Sequence, residues 1–151
     1  IDYVSIQNST FAEVPHKFEA GTPNIVGAIA LGTAIDFIND IGYDNITSHS
    51  KDLTDYFLKG IKKVKGAKII GNPEERISII SFIIEGTHPH DLALLLDNKG
   101  IAVRAGHHCA QPAMRHFKVD TTLRVSFGIY NTEKDIDLFL EKLKGLQKYF
   151  N

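Results

Sequence analysis

Strand-like apolar runs and segments of helical periodicity follow one another along the chain in an order that restricts its fold. Two helical patterns come first, over residues 22–42 and 44–64. Strand-like runs then lie at 67–70, 77–84, 101–104 and 122–127, with helical patterns at 88–100 and 131–146. This order predicts an α+β fold in which helices cover a small sheet of three or four strands. A further strand-like stretch over 2–6 has no obvious partner.

The first helix has recognisable boundary signals. Thr22 is a good N-cap, Pro23 loses no hydrogen bond at the first helical position, and Gly42 ends the pattern. Gly27 and Gly32 lie inside the helix, where a glycine costs about 1 kcal/mol relative to alanine. These two glycines predict close packing against another element or another subunit.

The last strand and the last helix show regular alternation of side-chain type. In the strand over 122–127, Leu123 and Val125 share one face, whereas Arg124 lies on the other. An arginine off the core face can bind a carboxylate through two parallel hydrogen bonds, or it can form a surface ion pair. The apolar stripe of the last helix extends to Phe150. The run over 77–84 is almost continuously apolar, which predicts burial on both faces.

Residues 104–112, Arg-Ala-Gly-His-His-Cys-Ala-Gln-Pro, contain the only cysteine of the chain, Cys109. A thiol reacts as its thiolate, which neighbouring positive charges favour, and Arg104, His107 and His108 are the neighbours that can supply such charge. The glycine and the proline of this segment predict a turn that ends a strand and precedes a short helix over 113–117. The segment is therefore typical of a loop that presents a nucleophile.

Two other interpretations of Cys109 remain open. A lone cysteine is often a small buried hydrophobic residue. Zinc binding is the second alternative, but three adjacent residues cannot converge on one tetrahedral ion, and no second ligand pair stands at the usual spacing. His88, His90 and His116 would have to be brought in by folding. The sequence therefore predicts no metal site.

Composition excludes several classes of partner. The chain has 151 residues, 43% of them hydrophobic, and a formal net charge of −1 without a run of lysines or arginines. Such a chain has no electrostatic footprint for nucleic acid or for an anionic membrane. No apolar run reaches the roughly 18 residues that a membrane span requires, and no signal-peptide pattern opens the chain. One cysteine forms no internal disulfide, which agrees with a cytoplasmic protein.

Three stretches together resemble one enzyme family. They are the cysteine loop over 104–112, Phe-Glu-Ala-Gly-Thr-Pro-Asn at 18–24, and Leu-Arg-Val-Ser-Phe-Gly-Ile-Tyr-Asn-Thr at 123–132. Their order and separation are similar to those of the Suf-type (group II) cysteine desulfurases and selenocysteine lyases, which are pyridoxal-phosphate (PLP) enzymes related to class V aminotransferases. The resemblance covers about the last third of a family member. It implies that residues 1–41 are the end of the large PLP-binding domain with its connecting helix, and that residues 42–151 are the C-terminal small domain.

The resemblance also implies a reaction and roles for individual residues. Family members convert L-cysteine to L-alanine, hold the sulfur as an enzyme persulfide, and pass it to an acceptor protein of the Suf type for iron-sulfur cluster assembly. On the matching positions, Cys109 is the nucleophile and Arg124 binds the substrate carboxylate. Gly21 and Thr22 contact the cofactor phosphate across a homodimer. Sequence alone favours a simpler role for Thr22, that of a helix cap.

One part of the family pattern is missing from this sequence. The lysine that holds PLP lies in a Ser-x-His-Lys motif of the large domain, and His16-Lys17 belongs to a different motif, Pro-His-Lys-Phe-Glu. The isolated chain is therefore expected to be inactive. Two alternatives to a desulfurase fragment are a stand-alone sulfur-relay domain and a metal-binding module.

Overall fold

The computed structural model describes residues 1–146, so the prediction for Phe150 lies outside the described residues. The chain divides into two compact units, Ile1–Tyr43 and Asp44–Asn151.

The first unit begins with a two-stranded antiparallel hairpin. Its strands are β1 (Tyr3–Val4) and β2 (Ser9–Thr10), with Tyr3 opposite Thr10. The hydroxyl of Ser5 donates to the backbone carbonyl of Asn8 at 3.0 Å and closes the turn. The expectation of a strand without a partner is therefore wrong, because the segment after the turn pairs with it.

Helix α1 (Ile25–Ile41) is the main element of this unit. Its N-cap is Asn24, whose side-chain oxygen accepts a hydrogen bond from the amide of Gly27 at 2.9 Å. The prediction of Thr22 as the N-cap is thus wrong by two residues. Gly42 ends the helix with φ 87°, as predicted.

The glycines inside α1 have different surroundings. A side chain at position 27 would collide with the capping side chain of Asn24, so Gly27 serves the cap of its own helix. A side chain at position 32 would meet nothing within 4 Å. Packing of Gly32 against another subunit stays a prediction. No side chain of α1 is buried among the described residues, and Val26 is 79% exposed.

As far as residue 146, the second unit is made of four helices and four strands, the first helix beginning one residue earlier, at Tyr43. In chain order they are α2 (Tyr43–Ile61), β3 (Ala67–Ile70), β4 (Ile79–Ile84), α3 (Pro89–Asp97), β5 (Arg104–Gly106), α4 (Gln111–Phe117), β6 (Thr122–Ser126) and α5 (Glu133–Leu146).

The four strands form one sheet in the order β3-β4-β6-β5, and every neighbouring pair is antiparallel. The register places Phe82 opposite Leu123 and Ser81 opposite Arg124. It also places Arg104 opposite Arg124. Directly opposed residues have side chains on the same face of a sheet, so the two arginines share a face with Ser81.

The hydrophobic core lies on the other face of the sheet. Alternate residues of β4 and β6, among them Phe82 and Leu123, pack with apolar residues of α2, α3 and α5 in one buried cluster. Phe57 of α2 is 0% exposed, and its ring lies 5.6 Å from that of Phe139 of α5. Full burial of such a side chain stabilises the fold by roughly 1.5–3 kcal/mol. The α+β prediction is confirmed, with a four-stranded sheet.

Two strand predictions are wrong in detail. The run over 77–84 is not buried on both faces among the described residues, because its burial alternates and Ile79 is 39% exposed. The strand predicted over 101–104 corresponds to β5, which begins at Arg104 instead of Ile101. Ile101 and Val103 pack against the core without pairing with β6, so their apolar character reflects burial and not strand pairing.

Among the described residues, no single helix is both long and apolar enough to cross a membrane. Helices α1 and α2 meet the length and composition criteria only when they are counted together.

Candidate functional site

The cysteine loop connects β5 to α4. Strand β5 ends at Gly106, whose φ of 132° favours glycine, and α4 begins at Gln111. Between them the backbone amide of Ala110 donates to the carbonyl of His107 at 2.9 Å, which closes a tight turn. The predicted turn at the end of a strand is therefore present, although the strand extends two residues further than expected.

Two consecutive residues of this turn have left-handed backbone conformations. His108 has φ 55° and Cys109 has φ 57°. For a residue with a side chain this conformation costs roughly 1–2 kcal/mol, and such residues concentrate at functional sites. Neither conformation was predicted, because no sequence pattern around them requires it.

Cys109 is exposed and opens into a cavity of about 460 Å³. The residues that line the cavity are Arg104, Ala105, His107, His108, Cys109, Gln111 and Pro112. The structure thus brings together the cysteine and all three of its predicted supporting residues. The alternative of a buried core cysteine is wrong.

A larger cavity of about 980 Å³ lies between α2 and the segment that joins β3 to β4. It shares no residue with the cysteine loop. Its ionisable side chains include Lys51, Asp55, Glu74 and Arg76, so it has mixed charge. Of these two cavities, only the smaller one contains a cysteine, so it is the candidate site despite its size.

His108 folds back over the sheet. Its Nε2 lies 2.8 Å from the hydroxyl of Thr122 on β6, and Thr122 is 0% exposed. Burial lowers the pKa of His108 most, the nearby Arg124 lowers it further, and an interaction with the backbone of Thr122 acts in the opposite direction. The Nδ1 atom of His108 is buried and has no hydrogen-bond partner within the described residues.

Arg124 is half-buried at the centre of the open face of the sheet, as the alternation predicts. It lies directly across from Arg104 in the ladder. Opposed like charges destabilise a sheet, and neither arginine forms an ion pair in the part of the chain that the structure describes. Two neighbouring guanidinium groups without a carboxylate can bind an anion with a planar, forked group.

Gly21 and Thr22 lie in the first unit, in the segment before α1. Gly21 has φ 81°, and a side chain added there would meet nothing within 4 Å. Thr22 is exposed and is not the helix cap, so its hydroxyl is available to a ligand. An open glycine next to an exposed hydroxyl fits a phosphate group. Their contact with a cofactor stays a prediction.

His88 and His90 lie at the start of helix α3. The side chain of His88 caps α3 by accepting from the amide of His90 at 3.3 Å, and the two rings stack with centroids 5.5 Å apart. His88 is thus the N-cap residue of α3. Within residues 1–146, no group of three or more His, Cys, Asp or Glu side chains is arranged to hold a metal ion.

Thr122 is the site residue that the sequence analysis missed. The available signal was alternation, because Thr122 lies two residues before Arg124 and so on the same face of β6. Its contact with His108 depends on the left-handed turn.

Known proteins similar to this chain include cysteine desulfurases. A probable cysteine desulfurase from Halalkalibacterium halodurans is 49% identical over 150 residues, which are 99% of this chain and 37% of the relative. One from Staphylococcus epidermidis is 45% identical over 152 residues, covering 100% of this chain and 37% of the relative. The chain therefore spans little more than a third of the length of these relatives.

Solved structures show the same fold. The apo structure of a cysteine desulfurase from Thermococcus onnurineus matches 99% of this chain with a TM-score of 0.83 and 36% identity, over 38% of its own length. The cysteine desulfurase CsdA from Escherichia coli matches 99% with a TM-score of 0.83 and 33% identity, over 37% of its length. The family model for class-V aminotransferases matches residues 1–139. With nearly the whole chain matched in sequence and in fold, this protein belongs to the class-V aminotransferase family.

Proposed function

We propose that this chain is the C-terminal part of a PLP-dependent cysteine desulfurase that converts L-cysteine to L-alanine. The observation that carries the proposal is the exposed Cys109, held in a left-handed turn in a cavity that Arg104 also lines. Arg124 does not line this cavity but lies directly across the ladder from Arg104. The relatives named as cysteine desulfurases add support from sequence.

In the proposed reaction, the thiol of Cys109 accepts the sulfur of the substrate. The carbon–sulfur bond of L-cysteine breaks as a sulfur–sulfur bond to Cys109 forms, so L-cysteine and the thiol become L-alanine and a persulfide. An exposed thiol suits this step, because the persulfide must afterwards be reached by an acceptor. The cofactor, when bound, supplies an electron sink for the substrate.

The substrate carboxylate is proposed to bind Arg124. Its guanidinium is half-buried, so a paired anion there is shielded from solvent, and no carboxylate of the described residues competes for it. Arg104, across the ladder, adds a second positive charge to the same face. His107 and His108 are proposed as supporting residues of the loop.

Gly21 and Thr22 are proposed to bind the phosphate of PLP. In the resembling enzymes this contact reaches the active site of a partner subunit, so the complete enzyme is proposed to be a homodimer. The exposed apolar side chains of α1, among them Val26 and Ile29, support a further protein surface against this helix. No lysine is assigned to the cofactor here, and the chain alone is proposed to be inactive.

The proposed physiological setting is sulfur transfer in the cytoplasm. The persulfide sulfur goes to an acceptor protein of the Suf type for iron-sulfur cluster assembly. This setting rests on the three sequence stretches that resemble Suf-type enzymes.

Replacing Cys109 by serine tests the proposal in the complete enzyme. Serine keeps the size and polarity of the side chain but cannot form a persulfide. We expect Cys109→Ser to abolish alanine formation from L-cysteine, whereas Ser48→Ala on the exposed surface of α2 leaves it unchanged. Unaltered alanine formation by the Cys109→Ser enzyme contradicts the proposed role of the thiol.

A stand-alone sulfur-relay domain is the second candidate function. It is favoured by the self-contained core of the second unit, which includes the exposed cysteine. Two measurements on the complete gene product distinguish the relay from the desulfurase. A relay domain takes sulfur from a small sulfane-sulfur donor onto Cys109 but forms no alanine from L-cysteine.

A further inference from the structure

We propose that His108 is a positioning residue for Cys109, and that it acts through its hydrogen bond to Thr122. The bond holds the turn over 107–110 in the conformation that keeps the thiol in the cavity that Arg104 lines, and Arg124 lies across the ladder from Arg104. The inference rests on the proposed function for its purpose, but its geometry and its test are independent of it.

The turn needs an anchor because its backbone conformation is unfavourable. His108 and Cys109 both have positive φ, and neither is a glycine. The backbone bond from Ala110 to His107 closes the turn on itself but does not fix it to the sheet. Within residues 1–146, the contact between His108 and Thr122 is the one side-chain hydrogen bond that joins this turn to a strand.

The sheet leaves room for the imidazole of His108 beside Thr122. Gly106 lies directly opposite Thr122 in the ladder, and it has no side chain to cover the threonine hydroxyl. The ring of His108 reaches this position, and Thr122 is 0% exposed. The Nδ1 atom on the other side of the ring is buried without a partner among the described residues. The imidazole is thus held against β6 at its Nε2 atom, while His108 also contributes to the lining of the cysteine cavity.

The position of Thr122 on β6 determines where the turn places the Cys109 thiol. Thr122 and Arg124 lie two residues apart on one face of β6, and Arg104 lies across from Arg124. A turn tied to Thr122 therefore lies next to both guanidinium groups. Cys109 shares its cavity with Arg104. Without the anchor, the thiol is free to leave the positively charged face.

The ratio of the alkylation rates of Cys109 with iodoacetate and with iodoacetamide reports whether the thiol lies near positive charge. Iodoacetate is an anion and iodoacetamide is neutral, and both react with the thiolate, so the rate ratio does not depend on the fraction of thiolate. Nearby guanidinium groups attract the anion. In the folded 151-residue chain we expect a ratio about threefold higher than in the same chain unfolded in urea, and a loss of the difference at high salt.

Substitutions of Thr122 test the hydrogen bond. Thr122→Val keeps the shape and removes the hydroxyl, and we expect it to lower the ratio to that of the unfolded chain. Thr122→Ser keeps the hydroxyl and is expected to retain the wild-type ratio. Thr121→Val changes the neighbouring threonine, which forms no side-chain hydrogen bond among those described, and is the matched control. An unchanged ratio in Thr122→Val, or an equal loss in Thr122→Ser, overturns the proposal.

His108→Ala provides a second route that leaves β6 intact if Thr122→Val fails to fold. It is expected to give the same low ratio, and the double variant is expected to fall no further. Additive losses in the double variant contradict a single shared contact.

Nitrogen NMR of the His108 ring supplies a spectroscopic signature of the same contact. Relative to the wild-type chain, we expect the Nε2 resonance to shift in Thr122→Val but not in Thr121→Val. None of these measurements requires cofactor or substrate, so a failure of the desulfurase proposal and a failure of this one are separate results.

Discussion

Arg124 is the residue whose chemistry is most sharply defined by its neighbours. It faces Ser81 and Arg104 across two ladders, and no acidic side chain of the described residues neutralises it. A guanidinium holds a carboxylate by two parallel hydrogen bonds, whereas a lysine ammonium acts as a point charge.

In the complete enzyme, Arg124→Lys is expected to raise the KM for L-cysteine by roughly 10- to 100-fold, the effect of losing one charge-assisted hydrogen bond. Steady-state measurement of alanine formation checks this. Arg115→Lys, on the exposed surface of α4, is the matched control and is expected to leave KM unchanged. Equal KM values for the two variants would mean that Arg124 does not bind the substrate.

His108 makes the stability of the folded chain depend on pH. Its folded pKa is lowered by burial, and by the positive charges of Arg124, Arg104 and His107, below the ordinary value of about 6.5. The unfolded state therefore binds more protons as the pH falls from neutral, and the free energy of unfolding must decrease in that range.

We expect the wild-type chain to lose more stability between neutral pH and about pH 5 than His108→Gln, which has no proton to bind. Urea unfolding at a series of pH values measures the difference. The remaining histidines contribute to both proteins and cancel in the comparison. Parallel stability curves for the two proteins would refute the lowered pKa of His108.

At the scale of elements, Gly60 of α2 lies directly against Leu140 of α5. A side chain added there would collide with the buried side chain of Leu140. Gly145 occupies the matching place near the end of α5 as described, and a side chain there would meet nothing within 4 Å. The two glycines differ in packing but not in secondary structure.

Gly145→Ala is expected to stabilise the chain by about 0.5–1 kcal/mol, because alanine is the better helix former. Gly60→Ala gains the same propensity but must displace Leu140, and overpacking of this kind costs typically 1–3 kcal/mol. Thermal unfolding is expected to place Gly60→Ala below both the wild type and Gly145→Ala. A melting temperature of Gly60→Ala equal to that of Gly145→Ala would contradict the close approach.

The sequence predicted some elements well because their physical signals are local. Alternation in 122–127 identified the buried Leu123 and Val125 and the outward Arg124, since side chains on a strand alternate strictly. Apolar character alone misled the prediction for 77–84, because it does not reveal whether a second layer covers the sheet. The contact between His108 and Thr122 joins residues 14 positions apart through a left-handed turn, and no local pattern encodes it.

At the scale of the whole molecule, the proposed function assigns to this chain two of the parts that a PLP enzyme needs. The second unit carries the thiol and the arginines, and the first unit carries the exposed Gly21 and Thr22. The Schiff-base motif of the resembling family is not in the sequence. Lys17, next to a histidine, lies in an exposed 3-10 helix, His16–Phe18.

Incubation of the isolated chain with PLP, followed by borohydride reduction and peptide mapping, is expected to yield no stoichiometric adduct at any single lysine. Scattered, substoichiometric labelling of exposed lysines is the expected background. A single stoichiometric adduct, at Lys17 or elsewhere, would overturn the expected inactivity of the chain.

The pairing of β6 also determines which genetic changes this strand can accept. Substitutions alter one side chain at a time, but an insertion of a single codon between Thr122 and Arg124 exchanges the two faces for every later residue of the strand. The guanidinium would then enter the phenylalanine-rich interior, and Val125 would turn to solvent. Relatives that retain the reaction should therefore differ here by replacement and never by a one-residue change in length.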